Sequence, residues 1–128
     1  MIYLNVSSQD SLSFHPQNSV FDFTIELPSA ITGRFTCALL DFYTNEQFNQ
    51  DFYVFCDICE PHFIHDRVLP LLRIVSEPGE LTTPHNKTVS RQHIKRLTVY
   101  IRDREFNVPT QPSPPITSVR MTILLESL

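Results

Sequence analysis

The spacing Cys56-x2-Cys59-x2-His62-x2-His65 puts four soft or borderline donors within ten residues. These are the ligand types that zinc takes in tetrahedral sites. A Cys-x2-Cys pair works as half of such a site when a turn aims both thiolates at one point. Here the pair lies in Tyr53–Glu60, YVFCDICE, which reads as a β-strand. Residues three apart in a strand point to opposite faces, so Cys56 and Cys59 are expected to diverge. The intervening Asp57-Ile58 lacks a turn-forming glycine, and four ligands in ten residues make a cramped chelate. The expectation is a core Cys56, a Cys59 at the strand end, two loop histidines and no metal. A zinc site at Cys56, Cys59, His62 and His65 stays open as the alternative. No helix start follows Cys56 to lower its pKa, which argues against thioredoxin-like chemistry.

Other chemistry is thinner. His62, His65 and Asp66 sit beside a turn at Pro61, where histidines could make a contact pH-responsive; ordinary loop histidines are the commoner reading. No G-x-S-x-G elbow occurs, and two glycines cannot build a phosphate-cradling loop or a nucleotide fingerprint. Asp41, Asp57, Glu60 and Asp66 read as solvated rim residues, not as a hydrolytic carboxylate pair. No catalytic residue and no cofactor is expected, and the chain is not expected to be an enzyme. Leu69-Pro70-Leu71-Leu72-Arg73 reads as an edge strand entered through proline, which cannot donate to an inner ladder. Arg73 could reach a carboxylate across a contact or lie solvated.

These residues need a scaffold, and the composition says which kind. The chain has 128 residues, 10 Phe, no Trp, and 10 Pro against 2 Gly. Proline at segment edges with β-branched and aromatic residues between favours strands and long loops. One domain over residues 1–128 is expected. The net charge of −4, with no block of Lys or Arg, argues against direct binding of nucleic acid. No apolar run approaches the length of a membrane helix. The opening MIYLNVSSQD lacks the basic and apolar regions of a signal peptide, so an intracellular protein is expected. Three cysteines, an odd number, then argue against a disulfide framework. The sequons at Asn5 and Asn86 read as chance matches in that setting.

Alternation supplies the elements. Ile2–Val6, Phe21–Leu27, Arg34–Tyr43, Phe52–Cys59, Leu71–Val75, Leu97–Arg102 and Ser118–Glu126 read as strands, with a minor one near Thr88-Val89. Pro28 is expected to end the second. The third is apolar almost throughout, which implies burial on both faces or a neighbouring subunit. Gln92–Lys95 or Ile64–Leu69 could make a single helical turn. Seven or eight short strands without a long helix predict an all-β fold: a β-sandwich or barrel, with Greek-key or jelly-roll winding favoured.

The succession Leu27-Pro28, Gly33 to Asp41, Phe52 to Glu60, Asp66, Pro70 to Val75, Ile94 to Asp103 and Val119 to Leu125 resembles small jelly-roll capsid proteins of the adintovirus, Polinton and adomavirus type. In that pattern a strand of the W-x-V-A-L kind precedes Y-V-Y-C-D-I, a glycine turn, P-L-L-R, V-Y-I-x-D and a final V-x-L strand. The chain departs at Phe35, where tryptophan is typical, and at Ile64-His65-Asp66, which replaces the glycine turn. Glu105-Phe106-Asn107 stands where a late glycine turn is usual.

The resemblance implies a single β-sandwich of about eight antiparallel strands with jelly-roll topology. It implies a viral capsid protein, penton-like or minor, that acts by self-assembly as a homo-oligomer, commonly a pentamer, among other capsid proteins. The expected location is the virion, after assembly in the host cell, with the nucleus as one candidate compartment. It also makes Cys56 part of a strand motif shared by metal-free proteins. Phe35, Leu39, Phe55, Ile74, Val99 and Ile123 are expected to fill the core. The loops Asn45–Asp51, Ser76–Ser90 and Phe106–Pro115 are expected to meet neighbours or solvent. A receptor- or glycan-binding attachment module and a zinc-stabilised interaction module are the alternatives.

Overall fold

A computed structural model describes residues 1–110 and 114–128. Eleven strands and no helix occur among them: β1 (Ile2–Ser7), β2 (Asp22–Thr32), β3 (Phe35–Thr44), β4 (Phe52–Cys56), β5 (His62–Ile64), β6 (Arg67–Leu69), β7 (Leu71–Val75), β8 (Gly79–Glu80), β9 (Lys87–Thr88), β10 (His93–Arg102) and β11 (Val119–Ser127). They form two antiparallel sheets. Sheet A runs β1-β11-β3-β8, with β9 also on β3; sheet B runs β2-β10-β4-β7; β5 and β6 make a separate hairpin. The pairing is nested. β1 pairs with β11, β2 with β10, β3 with β8 and β9, and β4 with β7.

One core lies between the sheets. Phe35, Cys37, Leu39 and Phe42 of β3 meet Phe52, Val54 and Cys56 of β4, Leu97, Val99 and Ile101 of β10, and Met121, Ile123 and Leu125 of β11. Burying side chains of this size is worth about 1.5–3 kcal/mol each against exposure, which makes this interior the main stabilising element. The doubly apolar reading of β3 has a direct counterpart: Ala38 is buried on the far face, beside its register partner Leu124.

Departures from simple alternation come from bulges. In β3, Asp41 pairs with Thr122 and Leu39 with Ile123, leaving Leu40 as the extra residue. Leu39 and Phe42 therefore both enter the core although they are three apart. β2 does not stop at Pro28. It runs to Thr32, because pairing with β10 lapses between Leu27 and Ala30 and resumes at Ile31 opposite Ile94. Lys95 Nζ donates to the Leu27 carbonyl at 2.7 Å and to the Pro28 carbonyl at 3.2 Å, occupying acceptors that the bulge would strand. Gly33, at φ +139°, then turns the chain into β3.

Three further expectations need correction. Gln92–Lys95 is not helical: β10 begins at His93, with Ile94 fully buried. Ile64–Leu69 is not a helical turn but the β5–β6 hairpin. Ile74 is 43% exposed, because it lies on the outer face of edge strand β7 while Leu72 and Val75 turn inward. The loop Asn45–Asp51 also contributes to the core: Phe48 stacks on Phe52 at 4.2 Å and meets Phe42 edge-on at 5.9 Å. Residues 111–113, part of the Phe106–Pro115 loop, lie outside the described residues.

Candidate functional site

The stretch from Phe52 to Val75 has two working faces. Along β4, Phe52, Val54 and Cys56 face the core, while Tyr53 and Phe55 face away from it yet stay buried. An aromatic cluster covers them. Phe55 stacks on Tyr100 of β10 at 4.8 Å, and Phe106 approaches Phe55 and Tyr53 at 6.2 Å each. His65 sits 6.0 Å from Tyr53 and 5.9 Å from Phe106, and the Arg67 guanidinium lies 4.6 Å from the Phe106 ring centre. A cation over a ring face gains about 0.5–2 kcal/mol, depending on how dry the contact is. The hairpin is thus folded back onto sheet B by its turn residues.

That turn is His65-Asp66, at φ +46° and +63°, the signs of a type I′ hairpin. Both are non-glycine residues of types that tolerate the left-handed region better than most. The same turn aims His65 at β4, where its Nε2 lies 3.3 Å from the Tyr53 hydroxyl. On the hairpin's other face, the cross-strand partners Phe63 and Val68 are 74% and 66% exposed.

β4 ends at Cys56, not at Cys59, and Asp57 is the reason. Asp57 N–H donates to the Thr98 carbonyl at 3.1 Å, while its Oδ1 accepts the Thr98 N–H at 2.9 Å. The side chain thereby replaces its own carbonyl in the ladder, and the main chain leaves. Arg91 Nη2 approaches Asp57 Oδ2 at 2.9 Å but off the hydrogen-bonding direction, so this contact is an ion pair alone. The Cys59 N–H then donates to the Cys56 carbonyl at 3.0 Å, closing a turn.

The consequence corrects the expected divergence: Cys56 and Cys59 both enter the core. Cys59 meets a residue that sequence spacing does not suggest. Its Sγ lies 3.3 Å from Cys37 Sγ on β3. Burial drives the Cys56 thiol far above its ordinary range. In the pair, the hydrogen bond between the sulfurs acts in opposite directions, lowering Cys37 and, with burial, raising Cys59. Lys87, register partner of Cys37 on β9, further favours the Cys37 thiolate.

The four sequence-suggested ligands do not converge. Cys56 and Cys59 are in the core, His65 is on Tyr53, and His62 carries a buried Nε2 without a hydrogen-bond partner. Among the described residues, no three His, Cys, Asp or Glu side chains form a group that could hold a metal ion. Arg73 makes no ion pair among the described residues; its Nη1 donates to the Thr83 carbonyl, fastening β7 to the following loop. β7 is one of the two edge strands of sheet B, entered through Pro70. No helix among the described residues is long and apolar enough to cross a membrane.

A polar cleft of about 490 Å³ lies where Arg34, Glu60, Pro61 and Ser90 meet. The Ser90 hydroxyl there is already engaged, since its Oγ donates to the Ile58 carbonyl. Compared with known proteins, the chain matches no family model, no curated protein and no solved structure.

Proposed function

We propose that this chain is a structural protein of a viral capsid, a single-jelly-roll subunit in a penton-like vertex or minor position. It works by self-assembly and by contacts with neighbouring capsomers, not by catalysis. The observation that carries this reading is the nested pairing: first strand with last, second with next to last, third with β8 and β9, fourth with β7. A hairpin ribbon doubled in this way over two facing sheets supports a jelly-roll winding.

The surface is consistent with assembly. Phe63, Val68 and Ile74 are exposed around the β5–β7 segment, and edge strand β7 is short and begins after proline. A neighbouring copy of the chain, presenting a different surface to this apolar face as a ring requires, is the occupant we favour; symmetric closure also shields sheet edges. The favoured assembly is a pentamer in contact with other capsid proteins, in a virion assembled inside the host cell. The mildly acidic chain leaves genome contacts to basic partners.

The test is the symmetry of the purified protein's assembly, read by light scattering and electron microscopy. Five-fold oligomers or particles are expected. A stable monomer with tight affinity for a glycan or a cell-surface receptor would overturn the reading in favour of an attachment module.

A further inference from the structure

Cys37 and Cys59 come from β3 and from the turn after β4, 22 positions apart, and their sulfurs lie 3.3 Å from each other in the interior. The segment Lys87–Ser90 binds both sites. Lys87 is the register partner of Cys37, Val89 forms an isolated bridge with Cys59, and Glu60 N–H donates to the Thr88 carbonyl at 2.9 Å. Cys56, also fully buried, has no sulfur placed against it in this way.

We propose that Cys37 and Cys59 form a reversible intramolecular disulfide, a modification site that clamps β3 of sheet A to the β4–β5 connection. The two sulfurs need to close by only about 1 Å to bond. The oxidant class is a peroxide. The Cys37 thiolate attacks one peroxide oxygen, the O–O bond breaks, and hydroxide leaves to become water, giving a sulfenic acid. The Cys59 sulfur then attacks the Cys37 sulfur. The S–S bond forms, the S–O bond breaks, and the departing hydroxide takes the Cys59 proton as a second water. Two thiols and one hydrogen peroxide become one disulfide and two waters, the sulfurs losing two electrons.

The roles follow from the surroundings. Cys37 has the Lys87 ammonium nearby and a thiol donor at 3.3 Å, so it is the nucleophile. Cys59 keeps its proton longer and resolves. Entry requires local opening of the cover, and β9 is a two-residue strand, the kind of element that opens at low cost. The inference stands independently of the capsid reading, since it rests on the sulfur pair alone.

The test treats the intact protein with hydrogen peroxide, then counts thiols under denaturing conditions and maps peptides by mass spectrometry. Free thiols should fall from three to one, the peptides holding Cys37 and Cys59 should be linked, and dithiothreitol should reverse both. The melting temperature should rise by about 10 °C on oxidation. Cys56→Ala should still form the link, and Cys37→Ala should not. Should Cys37→Ala fail to fold, the wild-type thiol count and peptide map decide. Three free thiols after treatment, a link that uses Cys56, or irreversible oxygenation of a single cysteine would overturn the proposal.

Discussion

Phe55 and Tyr100 stack at 4.8 Å, with ring planes 14° apart, on the face of sheet B turned away from the main core. The pair makes that outer face a second packed layer beneath Phe106 and the β5–β6 hairpin. Phe55→Ala should therefore cost about 3–5 kcal/mol in denaturant unfolding, the range for a buried aromatic. Ile74→Ala, on the neighbouring strand β7 and exposed, should stay within about 0.5 kcal/mol. A near-neutral Phe55→Ala would mean the hairpin does not cover sheet B in solution.

Lys95 supports the β2 bulge by donating to the Leu27 and Pro28 carbonyls. Lys95→Met keeps the aliphatic stem and removes the donor. It should destabilise by about 1 kcal/mol and speed amide exchange at Ile31, while Lys95→Arg restores most of both. Unchanged exchange at Ile31 would show that the bulge holds without the lysine.

The buried thiols give stability an alkaline limit. Cys56 and Cys59 are held above their ordinary range in the folded state, so above pH ~8.5 the unfolded chain loses protons that the folded chain retains. Stability contributed this way is present below that pH and is lost as pH rises. Each such thiol should contribute a fall of about 1.4 kcal/mol per pH unit between pH ~9 and ~10.5; the lowered Cys37 acts below pH ~8.5, where it adds stability as pH rises, and leaves this fall unopposed. Cys56→Ala should flatten the profile by about that amount. A profile identical to wild type would show that Cys56 ionises freely in the fold.

Phe63 projects from the hairpin without covering any of the core. Phe63→Asp should leave the melting temperature within about 2 °C, as expected for an exposed site. It should lower the apparent mass in light scattering by breaking self-association. An oligomer that survives both Phe63→Asp and Val68→Asp would place the subunit contact elsewhere.

Much of the sheet structure was legible because alternation survives wherever the ladder is regular, as in Ile2–Val6, Phe21–Leu27 and Leu97–Arg102. It failed where a local device overrides the pattern. Pro28 reads as a terminator, but a bulge lets β2 pass it and a lysine from another strand satisfies the carbonyls. His65-Asp66 carries no glycine, so a two-residue hairpin turn there cannot be read from composition. Asp57 ends β4 early by bonding the ladder with its side chain, which is why spacing misplaced Cys59. Phe48 sits among polar neighbours, and only the fold reveals the ring it covers. The Cys37–Cys59 pair depends on β3 and the β4 turn meeting across the sandwich. No local signal marks such a contact, although a cysteine inside an apolar strand is a fair place to look for one.

Leu40 is the extra residue of β3, paired with nothing on β11. Removing it would leave Phe-Thr-Cys-Ala-Leu-Asp-Phe-Tyr-Thr, a strand that alternates without a break and still sends Leu39 and Phe42 inward. Within β3 this is a point where the chain can change length by one residue while every neighbour keeps its side. Variation in length can enter the strand there, at the cost of local twist and not of the interior.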